Sequence, residues 1–272
     1  MRVAALIPLS LAFVASILAF PAEAAPEIMQ LTTRPGVTVK ILIMTPDRAS
    51  KGTLLMFPGG NGANHFSEGG GKIRLGGNFL VRSSNLFLER SSAVAIVDVP
   101  SDQAYGMSDQ FRTSKEHTED VRKIIDLLVQ KLQQPIFLAG TSRGTISAAH
   151  LGISLKDQRI GAIILTSSIG ASKGAGLSLF NLPLEDIALP VLFVHHREDD
   201  CWASRFNDAL QARERIKGSP RTHFIEVSGG DAPRSQPCEA LSYHGYLGKE
   251  REVVTAITDW IEGKPVTDRI GP

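Results

Sequence analysis

The chain has 272 residues, and its 29 basic against 28 acidic side chains leave a formal charge of +1. That balance, with no basic run, gives no electrostatic case for nucleic acid or an anionic membrane surface. The length suits one α/β unit with a substantial core, and the two cysteines, Cys201 and Cys238, are too few for a structural zinc site.

The first stretch stands apart from the fold. Arg2 is followed by the almost wholly apolar run Val3–Phe20 and then by Ala22-Glu23-Ala24, a small-x-small cleavage site. Residues 1–24 are therefore expected to be an export signal and 25–272 a single mature domain, periplasmic or secreted, with no stable membrane insertion after cleavage. A transmembrane anchor is the rival reading, because the run approaches the roughly 20 residues that cross a bilayer. Pro8, Ser10, Ser16 and the helix-breaking Pro21 favour cleavage. No Cys lies near the site to take a lipid, and no twin Arg is present, so the general secretory route is expected. In an exported protein the pair Cys201 and Cys238 reads as a disulfide; two buried free thiols are the alternative.

Past the leader, short apolar and β-branched runs alternate with longer amphipathic stretches. Strands are predicted at Val37–Met44 and Thr53–Phe57, the second running into Pro58-Gly59-Gly60-Asn61-Gly62. Gly69-Gly70-Gly71-Lys72 invites a phosphate-loop reading, but Phe66 stands five before Gly71 and Ile73 follows Lys72, so a mobile surface loop is expected. A helix is predicted at Phe79–Arg90, a strand at Ala93–Val97, and a helix at Lys115–Leu132 started by a capping box of Thr113 and Glu116. Within that helix Val121, Ile124, Ile125 and Leu128 recur at helical spacing. Then come strand Pro135–Ala139, helix Ser142–Leu151, strand Ile160–Thr166, strand Pro190–His195, helix Ala203–Ile216, strand Thr222–Val227 and helix Glu250–Ile261. Several strands are apolar on both faces. This is the pattern of a mostly parallel α/β sheet with helices on both faces. No repeat or low-complexity linker marks a second domain.

The chemistry concentrates at four turns. Strand Pro135–Ala139 runs directly into Gly140-Thr141-Ser142-Arg143-Gly144, and a helix follows. A serine at such a sharp turn is held with its Oγ projecting from the sheet, while the flanking glycines let strand and helix approach closely. An ordinary N-cap serine is the bland alternative. A serine hydroxyl needs a base, and the base needs an orienting acid. After strand Pro190–His195 stand His196, Arg197, Glu198, Asp199 and Asp200, and only His223 and His244 lie beyond. His223 falls inside a strand; His244 falls in a loop before the last helix.

With these residues in view, the sequence resembles the α/β-hydrolase superfamily, whose triad runs Ser, acid, His along the chain. The resemblance implies Ser142 as nucleophile, Asp199 as acid with Asp200 and Glu198 as rivals, and His244 as base. It also implies an oxyanion hole from the N–H groups of Gly60, in the segment after the strand Thr53–Phe57, and of Arg143. Pro58 stands where a family histidine is common, which leaves the main-chain donors unaffected. The Arg143 side chain either binds a substrate carboxylate or pairs with a structural acid such as Asp98, the second being favoured. A Cys201–Cys238 bridge would tie the acid loop to the base loop.

A metal site of His195, His196 and the carboxylates is disfavoured, since no i, i+4 histidine pair exists. The short segment Ser168–Leu189, with room for one short helix at Leu184–Ile187, leaves no sizeable cap, so the site is expected to be open and covered by the Gly-rich loop and Pro100–Phe111. The implied activity is hydrolysis of a small-molecule or polymeric carboxylic ester through an acyl-enzyme, with no cofactor. A peptidase or amidase on the same triad, or a non-catalytic binding protein on the same fold, are the alternatives.

Overall fold

The computed structural model describes residues 25–66, 75 and 77–272. The expected signal at 1–24 and the Gly-rich stretch at 69–72 lie outside the described residues.

Nine strands form one sheet: β1 (Glu27–Arg34), β2 (Val37–Met44), β3 (Thr53–Phe57), β4 (Ala93–Pro100), β5 (Ile136–Thr141), β6 (Ile160–Thr166), β7 (Val191–His196), β8 (Thr222–Val227) and β9 (Arg269–Ile270). Their order across the sheet is β1-β2-β4-β3-β5-β6-β7-β8-β9. β2 pairs antiparallel with both β1 and β4, and every pairing from β4 through β3 to β9 is parallel. β1 and β9 were not predicted. β1 is joined to β2 by the turn at Pro35-Gly36, where Gly36 takes φ +72°, and its half-polar sequence has no strong period of its own.

The helices are α1 (Phe79–Arg82), α2 (Ser84–Glu89), α3 (Asp109–Arg112), α4 (Lys115–Leu132), α5 (Gly144–Ser154), α6 (Phe206–Arg215) and α7 (Glu250–Ile261). The one helix expected over Phe79–Arg90 is two, broken at Ser83. α4 begins where expected, but its cap differs. Ser114 Oγ accepts from His117 N, while Thr113 Oγ1 donates back to carbonyls of α3. The unforeseen α3 occupies Thr113's side of the junction, so Ser114 is left as the first residue with free extended geometry.

Alternation along the strands sorts the core into two layers. Leu55 and Phe57 of β3 pack with Val121, Ile124, Ile125 and Leu128 of α4 and with residues of α5 and α6. Leu54 and Met56 face the other way, onto Phe79, Phe87 and, from α7, Val253, Ile257 and Trp260. Helices thus cover both faces, as an almost all-parallel sheet requires.

The strand order also determines where a site can form. The chain leaves β3 for β4 on one side, then returns to β5 on the other. The crevice outside the carboxyl ends of β3 and β5 is therefore a topological switch point, where helices diverge and leave open space.

Candidate active site

Ser142 sits at that switch point, one residue past β5. Its φ is +53°, a left-handed conformation that costs a non-glycine residue free energy. The turn is locked on both sides: Ser142 N donates to Thr166 O at 3.0 Å, and Thr145 Oγ1 donates to Ser142 O at 2.6 Å. The glycines are sterically required. A Cβ on Gly144 would lie 2.0 Å from Phe57 O, and one on Gly140 would lie 2.3 Å from Gly144 O. A two-residue shift from the expected helix start follows, because Ser142 and Arg143 form the elbow and α5 begins at Gly144.

Asp199 and His244 meet although they come from separate loops. His244 Nδ1 lies 2.8 Å from Asp199 Oδ2, and the Asp199 side chain is fully buried. Asp199 also accepts from Cys201 N at 2.9 Å and from Ser204 Oγ at 3.0 Å, so its carboxylate is well satisfied. Asp200 and Glu198 are exposed, and neither bonds to His244. A carboxylate only accepts, so His244 Nδ1 carries the proton and Nε2 keeps its lone pair. That Nε2 is buried and has no hydrogen-bond partner among the described residues.

Ser142 and His244 line one cleft of about 480 Å³. Its other walls are Pro58–Gly60, Ala63 and Asn64 after β3, Gly77–Phe79, and Cys238–Ala240. Gly60 takes φ +59°, and among the described residues neither its N–H nor that of Arg143 donates within the protein. The loop is held from below by Asp98, whose two carboxylate oxygens accept from Asn64 N at 2.8 Å and Phe66 N at 3.1 Å.

Arg143 pairs with an acid, but the acid is Asp109 rather than Asp98. Arg143 Nε and Nη2 both lie 2.7 Å from Asp109 Oδ1. Asp98 is engaged by the loop amides, and α3, absent from the expected elements, carries Asp109 to the guanidinium. Residues 108–110 line a neighbouring cavity of about 440 Å³ together with Arg143, Leu177 and Trp202. Pro100–Phe111 therefore does not roof the Ser142 cleft as expected; Tyr105 on it is 98% exposed.

Cys201 and Cys238 form a disulfide, and Cys238 lines the cleft. Cys201 Sγ, a carboxylate oxygen of Asp199 and a ring nitrogen of His244 lie within 4.8 Å of one another. With the sulfur in a disulfide it is no thiolate ligand, and the remaining two groups are fewer than a zinc site needs. His195 is wholly buried in β7, whose last residue is His196, and its Nε2 lies 3.1 Å from Ser204 O; burial pushes its pKa down to about 4. His223, on β8, bonds Asp268 at 2.8 Å, one residue before β9, and does not line the cleft.

Sequence reasoning missed two residues. Tyr246, two past His244, is buried at φ +60°; its hydroxyl donates to Val194 O at 2.7 Å and accepts from Ser167 N at 2.9 Å. Ser167 Oγ in turn donates to His244 O at 2.7 Å, so the His244 loop is pinned to the ends of β6 and β7. Arg112 on α3 is completely buried beneath the Pro58–Gly60 loop. Burial, with the nearby Arg143 cation second, lowers its pKa to about 9, still protonated at neutral pH.

No model of a known protein family matches this sequence, and no curated protein matches it. Solved structures do. Est1E from Butyrivibrio proteoclasticus matches with a TM-score of 0.59 at 14% identity, over 87% of this chain and 98% of its own. A serine hydrolase without lid from Xanthomonas campestris matches with a TM-score of 0.56 at 13% identity, over 91% and 98%. An alpha-beta serine hydrolase homologue from Coxiella burnetii matches with a TM-score of 0.58 at 20% identity, over 84% and 95%. Between β6 and β7 this chain has only the single 3₁₀ turns Leu179–Asn181 and Leu184–Asp186 where a cap would be inserted. The protein therefore has the α/β-hydrolase fold, in a form without a sizeable cap.

Proposed function

We propose that this protein is an exported serine hydrolase that cleaves a carboxylic ester through an acyl-enzyme. The observation that carries the reading is the shared cleft. It holds Ser142 in a left-handed turn together with His244, whose Nδ1 is bonded to the buried Asp199.

In this reading His244 Nε2 takes the proton from Ser142 Oγ as the oxygen attacks the ester carbonyl carbon. Asp199 holds the ring in the required tautomer and stabilises the imidazolium. The N–H groups of Gly60 and Arg143 receive the developing oxyanion. His244 then gives its proton to the leaving alkoxide, and an acyl-enzyme remains on Ser142. Water, deprotonated by the same Nε2, releases the carboxylic acid and restores the serine.

An ester rather than an amide is supported by the name of Est1E and by a cleft that stands open to an acyl or alcohol group of some bulk. The disulfide supports an oxidising compartment, which agrees with the leader expected at 1–24. No helix among the described residues is long and apolar enough to cross a membrane.

Fluorophosphonate labelling tests the assignment. The protein should label stoichiometrically and hydrolyse short p-nitrophenyl esters, and Ser142→Ala should do neither. Equal labelling of both proteins would overturn the role of Ser142; absence of labelling and turnover in both would favour a binding protein on this fold.

A further inference from the structure

We propose that Arg112 is a positioning residue for the oxyanion hole, clamping the carbonyls on both sides of the Gly59–Gly60 peptide so that the Gly60 N–H stays aimed into the cleft. The proposal rests on the hydrolase reading above and concerns a residue that touches neither substrate nor the reacting atoms.

The clamp is visible in three contacts. Arg112 Nη2 donates to Gly60 O at 3.2 Å and to Pro58 O at 3.4 Å, and Nη1 donates to Ser147 Oγ at 3.1 Å. Pro58 and Gly60 carry the carbonyls that flank the peptide bearing the Gly60 N–H. Ser147 lies on α5, the helix that starts two residues after Ser142. One planar guanidinium thus ties the oxyanion loop to the helix that orients the nucleophile turn.

The loop needs such a clamp. Two successive glycines rotate more freely than any other pair, and a peptide flip there would turn the donor away from the cleft. The carbonyl of that peptide, Gly59 O, accepts from Gly62 N at 3.1 Å, which holds it from within the turn, and Arg112 secures the carbonyls before and after it. Two residues on, the approach is tight, since a Cβ on Gly62 would lie 2.9 Å from Arg112 Nη2.

The chemistry of the contacts argues against simple core filling. Arg112 is fully buried, yet its three partners are neutral acceptors and its Nε has none. Burying a cation is costly unless it is paired. The closest acid in sequence, Asp109, is committed to Arg143 and to Leu177 N. A methionine would fill the same space without that cost, and only the guanidinium supplies the donors that these three contacts use. The fork geometry reaches acceptors on two elements at once, which a lysine cannot reproduce.

The test compares Arg112→Met and Arg112→Lys with the unaltered protein, using a short p-nitrophenyl ester and a trifluoromethyl ketone that forms an oxyanion on Ser142. Loss of one aligned oxyanion donor costs about 10²-fold or more in turnover. Arg112→Met should therefore lower kcat about 10²-fold with KM nearly unchanged and weaken the ketone by a similar factor. Arg112→Lys should recover part of both, and the acid limb of the pH–rate profile should not move, because the His244–Asp199 pair is untouched. Full kcat in either folded variant, or a loss confined to KM, would overturn the proposal. If Arg112→Met does not fold, Arg112→Lys decides it on the same readings. An unaltered protein that neither labels nor turns over would instead sink the hydrolase reading itself.

Discussion

His244 Nδ1 meets Asp199 Oδ2 at 2.8 Å across 45 residues of chain, and both side chains are buried. The bond sets the imidazole tautomer and leaves Nε2 without a partner among the described residues, in a side chain that lines the same cleft as Ser142. Asp199→Asn would present an amide in place of an acceptor-only group and favour the wrong tautomer. Turnover is expected to fall about 10⁴-fold. Asp200→Asn, on an exposed side chain one residue on, should leave kcat within about twofold. Steady-state kinetics on both variants checks this, and a larger loss for Asp200→Asn would reassign the acid.

Ser142→Ala should lower ester turnover by about 10⁴-fold or more while leaving the fold intact. Alanine also disfavours the left-handed φ of +53°, so thermal stability should change little or fall slightly rather than rise. Kinetics paired with a thermal melt reads both effects.

The disulfide closes a loop with a sequence separation of 37 residues that contains β8 and joins the Asp199 and His244 loops. Replacing both cysteines by serine should cost about 3 to 4 kcal/mol in the chain-entropy account. Because Cys201 N also donates to Asp199, turnover of the folded variant should fall as well. Denaturant titration and kinetics with and without a dithiol reductant test the pair; unchanged turnover of the reduced protein would remove the bridge from the site's organisation.

Two buried histidines make stability acid-sensitive. Burial lowers His195 to about 4 and His117 to about 3, from 6.5 in an exposed chain. The unfolded chain therefore binds protons below pH 6.5 that the folded chain refuses. Stability from these groups is complete above about 6.5 and is lost as pH falls towards their folded values. Each contributes a slope of up to about 1.4 kcal/mol per pH unit in that window. His117 lies between the rings of Phe57 and Phe111, so His117→Phe should give a shallower decline between pH 6 and 4.5 in urea titrations.

Tyr246→Phe removes a buried hydroxyl that donates to Val194 O and accepts from Ser167 N, leaving those two only the 3.1 Å bond they make to each other. A loss of about 0.5 to 1.5 kcal/mol is expected. Because Ser167 also holds His244 O, kcat should drop by more than KM changes. Chemical denaturation and kinetics of the variant give the two numbers.

Local pattern alone determined a good deal here. The β-branched runs Val37–Met44, Thr53–Phe57, Ile160–Thr166 and Thr222–Val227 are strands within the bounds expected, and the 3.6-residue apolar repeat marks α4 at Lys115–Leu132. Such signals are carried by a few adjacent side chains whose burial drives the segment. The order of the turn at Ser142, the acidic cluster after β7 and His244 was equally legible, because it is a property of the chain and not of its folding. Tertiary structure decided the rest. β1 and β9 exist through pairing with β2 and β8, α3 is a single turn held by its neighbours, and Ser114 displaced Thr113 as the cap because α3 stands before it. It also chose Asp199 over Asp200 to meet His244, and Asp109 over Asp98 to meet Arg143. Neighbouring carboxylates are chemically alike in the sequence; only the turn after β7 buries one and leaves the next in water, and burial is a relationship between distant segments that no local window contains.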